Sequence, residues 1–178
     1  MLKDQPKDRS MQLAERTSTP FMLSTATFNK VSEVLRELVV STRSDSALFC
    51  DLNGNPITHH GKNTAIDLGG FAALTAGNFS AMREMANVIG EKDGFKFVFQ
   101  EGERRNIYLC NVGFNFLLTI IFEKTVALGL VRIFANKAVE NLKQVLANAQ
   151  EAETKTSEVL DVEFGLLLGK ELDKSFNL

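Results

Sequence analysis

From Asn115 to Glu123 the chain reads Asn-Phe-Leu-Leu-Thr-Ile-Ile-Phe-Glu, with one polar residue between Phe116 and Phe122. Successive side chains of a strand point to opposite faces of its sheet. A strand that is apolar on both faces must therefore be covered on both. The run is too short for a membrane span, which needs about 18 apolar residues. It requires a sheet with helices above and below, and it places this strand at the centre.

The flanking sequence supplies the other layers. Phe95 to Glu101 alternates apolar and polar, as a half-buried strand does, and Asn106 to Val112 follows as another strand. Gly102 and Gly113 stand at the two connections. Upstream, Ala47 to Leu52 is a short apolar strand. Asn53-Gly54 then predicts a type I′ hairpin turn. Pro56 cannot donate to a ladder, so the second strand of that hairpin belongs at a sheet edge.

Three helices are expected. Phe28, Val31, Val34, Leu35, Leu38 and Val39 recur at helical spacing, with Thr25 or Thr27 as N-cap and an end near Arg43. Asp67 caps a second helix. Its core stripe is Leu68, Phe71, Ala72, Thr75, Phe79, Met82, Ala86 and Ile89, and Gly90 ends it. The opposite stripe is Ala73, Gly77, Ser80 and Glu84. Small residues there let another backbone approach, either a partner's or one from this chain. The third helix turns Val131, Phe134, Ala135, Ala138, Leu142, Val145 and Leu146 inward. Residues 1–21 are expected to be a mobile polar tail, 22–150 the domain, and 151–178 an apolar extension whose helix Gly165 and Gly169 weaken.

A net charge of −2 excludes the concentrated basic face of a nucleic-acid binder. No run is apolar enough to span a membrane, and the scattered charges at the N-terminus do not form a signal peptide. Cys50 and Cys110 lie in apolar strands and are expected as buried thiols of a reduced cytoplasmic protein.

Catalytic signals are absent. Gly54 to Lys62 looks like a phosphate loop, but six residues separate its glycines and Asn63 replaces the hydroxyl that would hold magnesium. His59 and His60 are neighbours on a strand and point to opposite faces. No acid, cysteine or histidine cluster completes a metal set, and no nucleophile motif occurs. No cofactor, metal or active site is expected. Arg83, Arg104, Arg105 and Arg132 raise one question, because some GTPase activators insert an arginine. Arg104-Arg105 at a strand connection reads as a solvated turn.

Cys50-Asp51-Leu52-Asn53-Gly54-Asn55-Pro56-Ile57, then Leu74-Thr75-Ala76-Gly77-Asn78-Phe79, then Leu128-Gly129-Leu130-Val131-Arg132 occur in this order. That order resembles the roadblock (dynein light chain type 7) family over roughly residues 24–150. Within it the likeness is narrower to bacterial members that regulate a small Ras-like GTPase. The resemblance implies an α+β fold: a five-stranded antiparallel sheet sandwiched between helices. It implies a homodimer, with Phe95, Phe97, Phe99 and Ala76 at the interface. It implies GTPase docking on Ala73, Gly77, Ser80 and Glu84, and stimulation of GTP hydrolysis by remodelling the GTPase rather than by an arginine finger. The alternatives are a dimeric scaffold without such activity and a small-ligand sensor. The sequence shows no convergent polar pocket for the sensor.

Overall fold

The computed structural model describes residues 23–62 and 66–176, with side chains as far as Ala152. The expected mobile tail lies outside the described residues. The element order is α1 (Thr25–Thr42), β1 (Ser46–Asp51), β2 (Pro56–Gly61), α2 (Leu68–Ile89), β3 (Phe97–Gln100), β4 (Arg105–Gly113), β5 (Phe116–Glu123) and α3 (Leu128–Phe176).

The five strands form one antiparallel sheet in the order β2-β1-β5-β4-β3. The apolar run is β5, the middle strand, and Phe116 to Phe122 are all buried. Its even-numbered residues join Phe49, Tyr108, Val31, Leu35, Val131 and Leu142 in the core beneath α1 and α3. Leu117 joins Leu48, Cys50 and Leu109 in a second cluster against Ala72 and Ala76 of α2. The sheet is thus sandwiched, two helices on one face and one on the other.

Pro56 opens β2 at one edge of the sheet, as its missing N–H demands. The turn before it is not type I′. Gly54 has φ of 85°, but Asn53 is not among the residues with positive φ. The Asp51 carboxylate accepts from the Asn53 and Asn55 backbone N–H groups at 2.9 and 2.8 Å. The Gly54 N–H donates to the Asp51 carbonyl at 3.1 Å. Asp51 thereby holds a three-residue loop with only its last residue left-handed. The two successive positive φ angles of a type I′ turn occur instead at Phe114 (53°) and Asn115 (66°), between β4 and β5. Asn tolerates that region, and Phe114 is held there by the ladder on either side.

The true N-cap of α1 is Ser24, whose hydroxyl accepts from the Thr27 N–H at 3.2 Å. Thr27 is its partner rather than the cap. Arg43 closes the helix at φ 54°. Strand β3 is shorter than its alternation suggests. It begins at Phe97, because Gly94 at φ 69° turns the chain and leaves Phe95 off the ladder. Ile89, expected in the core, is 68% exposed. Ala86 is the last buried residue of α2, and Asn87, Val88 and Ile89 of the final turn are exposed.

The closing helix runs unbroken to Phe176, through Gly165 and Gly169. Each glycine costs about 1 kcal/mol against Ala, but the leucines, glutamates and lysines around them are strong helix formers. The expected boundary at residue 150 falls inside this helix.

Gly54 fixes where the hairpin meets α2. A Cβ there would lie 2.6 Å from the Ala73 Cα. With its left-handed φ, Gly54→Ala should destabilise the fold by about 2–4 kcal/mol. Urea denaturation checks this, and an unchanged midpoint would mean the hairpin does not rest on the helix.

Candidate docking face

The site is built on α2. Its inward residues Ala72, Thr75, Ala76 and Ala86 are small, so the helix sits close to the sheet. Leu68, Phe71 and Phe79 pack half-buried beside them, but other large apolar side chains of the helix do not. Leu74 is 73% exposed and Val88 86%, with Met85 also exposed. Leu74, Ala81 and Val88 are seven apart, so they share one outward face. An ordinary surface helix buries its large apolar residues and shows water its charges. Here Leu74, Met85 and Val88 stand outside as well.

Ala73, Gly77, Ser80 and Glu84 are all exposed and run beside this apolar stripe. A Cβ placed on Gly77 meets nothing within 4 Å. Packing inside the chain therefore gives no reason for glycine at that position. Ala73 differs, because its backbone already abuts Gly54. The sequence reading missed Leu74, Met85 and Val88. The signal was available: they fell on neither stripe assigned to the helix.

The expected dimer residues do not form one set. Ala76 is only 7% exposed and is taken up by the chain's own core, since it lies on the helix face that meets the sheet. Phe95 sits off the strand. Phe97 and Phe99 do lie together on β3, at the second sheet edge. Phe97 stacks on Tyr108 at 4.9 Å, and the Arg132 guanidinium lies 4.9 Å above its ring. Phe99 stacks on Phe122 at 6.3 Å.

Arg105 pairs with Asp45 at 3.0 Å, Arg104 is exposed in the preceding turn, and Arg83 is exposed on α2. Burial pushes the Cys50 and Cys110 thiols up to about 12. At neutral pH both are protonated and poor nucleophiles. Burial likewise pushes Tyr108 up to about 12. His59 and His60 are consecutive residues of β2 and half-buried. Gly61 lies against Asp45 and Ser46, so it closes the strand. Among the described residues no group of three or more His, Cys, Asp or Glu is placed to hold a metal ion. No helix among them is long and apolar enough to cross a membrane.

Residues 30–122 match the model of the Roadblock/LC7 domain. The chain belongs to the Roadblock/LC7 family. Among solved structures, it resembles Myxococcus xanthus MglB with 32% identity and a TM-score of 0.68, over 72% of this chain and 96% of that one. The gliding protein MglB of Thermus thermophilus is 29% identical with a TM-score of 0.66, over 71% and 96%. A Roadblock/LC7 domain from Streptomyces avermitilis, at 17% identity and a TM-score of 0.60, shares the fold over 65% of this chain and 97% of that one. An uncharacterized Aquifex aeolicus protein is 26% identical over 155 residues, 86% of this chain and 93% of its own length.

Proposed function

We propose that this protein is a homodimeric regulator of a small Ras-like GTPase. The GTPase docks on the outer face of α2 and is stimulated to hydrolyse GTP by being remodelled. The protein itself contributes no catalytic group. One observation carries the reading: the outward face of α2 is apolar and small, with open space above Gly77. Such a face is suited to an incoming surface rather than to water. The likeness to MglB near 30% identity supports a GTPase as the partner. Three of the four arginines are poor candidates for an inserted finger: Arg132 and Arg105 are engaged within the chain and Arg104 lies in the turn before β4. Arg83 is exposed on α2, so unchanged stimulation by an Arg83→Ala variant is the outcome that remodelling requires.

The test is GTP turnover by Ras-like GTPases from the same cell, with and without the protein. Faster turnover is expected in the mixture. Tight binding with unchanged turnover would favour the scaffold instead. The protein alone should give no heat on titration with GTP and magnesium. A micromolar constant in that control would overturn the view that it has no nucleotide site.

A further inference from the structure

A second feature lies beneath the C-terminal half of α2. There the helix, the turn after it and β3 line an open pocket of about 140 Å³. Phe79, Met82, Phe95 and Val98 supply its apolar walls, and Arg83 and Lys92 stand on its rim. A volume of about 150 Å³ accepts one benzene ring, so the apolar part of this pocket has room for a single apolar side chain. Neither cation is ion-paired among the described residues. Asp93 is the one carboxylate of the lining, so the rim keeps a positive excess. This chemistry suits an apolar anchor with carboxylates beside it.

The chain carries such a segment. Residues 158–164 read Glu-Val-Leu-Asp-Val-Glu-Phe, three carboxylates and four apolar residues with no cation. Leu160 and Phe164 stand four apart, with Asp161 and Glu163 between them. The segment belongs to α3, which continues from the buried Leu146 to Phe176. At 1.5 Å per residue that is about 45 Å of helix beyond the core. An unbroken helix of that length cannot fold back on itself, and it has the reach to meet a neighbouring copy.

We propose that residues 158–164 of one copy dock in the α2–β3 pocket of a second copy. One apolar side chain of the segment fills the pocket, and Arg83 and Lys92 pair with its carboxylates. Filling the pocket supplies most of the attraction. The rim charges select this acidic segment over other apolar ones.

The experiment uses the full chain with a photoreactive benzophenone side chain at position Val162, mixed with an equal amount of isotope-labelled protein. Irradiation should join position 162 to the peptides containing Met82 or Phe95, in pairs of mixed isotope. Cys50 and Cys110 are buried and stay out of the chemistry. Arg83→Glu with Lys92→Glu should lower the yield at least tenfold. Adding Asp161→Lys with Glu163→Lys should restore it. If the rim variant fails to fold by circular dichroism, the tail variant alone gives the same decision, because it should lower the yield equally. Crosslinks confined to one copy, crosslinks elsewhere, no crosslinks, or a yield indifferent to charge reversal would each overturn the proposal. No GTPase is present, so failure here leaves the docking reading of α2 intact.

Discussion

Gly77→Arg is expected to abolish GTPase binding while leaving the protein folded. The two halves of this expectation have separate physical causes. Gly77 is exposed, and a Cβ there meets nothing within 4 Å, so the new side chain projects into solvent without clash. Replacing a mid-helix glycine with arginine also removes a helix penalty of up to about 1 kcal/mol. The thermal midpoint should hold or rise slightly. At a docked surface the same side chain would stand in the middle of the contact. A loss on the order of 100-fold or more, about 2.7 kcal/mol, is expected. Ala73→Arg makes a less clean test, because the Ala73 backbone is already pressed against Gly54 and the hairpin could shift. Calorimetry of the GTPase against the Gly77 variant decides. Binding of ordinary strength would remove this helix from the docking surface. A fall in the thermal midpoint would mean that the position is buried by something within the protein.

How far the sequence could be read follows from where its signals are local. The central strand was legible because an apolar run of that length admits few other placements. The edge position of β2 was legible because proline removes a donor. The turn type at Asn53-Gly54 was not, because it is set by the Asp51 carboxylate, which captures two backbone N–H groups that a type I′ turn would leave free. The type I′ geometry at Phe114-Asn115 carried no such dipeptide signal and is imposed by the register Gly113↔Phe116. Phe95 was grouped with Phe97 and Phe99 by alternation alone. Periodicity gives the face of a residue but not the point where the ladder begins. The exposed stripe of small and apolar residues on α2 was legible only in part. Ala73 and Gly77 drew notice as small residues, while Leu74, Met85 and Val88 passed as ordinary apolar residues. Their absence from the core stripe was the signal, and the fold leaves all three outside.

The protein should have twice the mass of one chain in dilute solution, joined through β3. The two edges of the sheet are unequal. Strand β2 opens with proline, carries a register shift opposite Phe49 and Cys50, and is tied to α1 by the Ser32–Thr58 hydroxyl pair at 3.0 Å. Such devices blunt an edge against pairing. Strand β3 has none of them. Phe97-Val98-Phe99-Gln100 holds no proline and no charge, and its aromatic rings lie half-buried over Tyr108 and Phe122. An edge of this kind is a template for another strand, and a second β3 is the partner with matching rings. Backbone N–H groups of neighbouring strand residues point to opposite sides. Of Val98→Pro and Phe99→Pro, one therefore removes a donor to β4 and the other removes a donor to the partner. The first should lower stability by about 3 kcal/mol or more. The second should leave the fold intact and yield single chains in sedimentation. A native mass of one chain, or two proline variants that both remain dimers, would place the interface elsewhere.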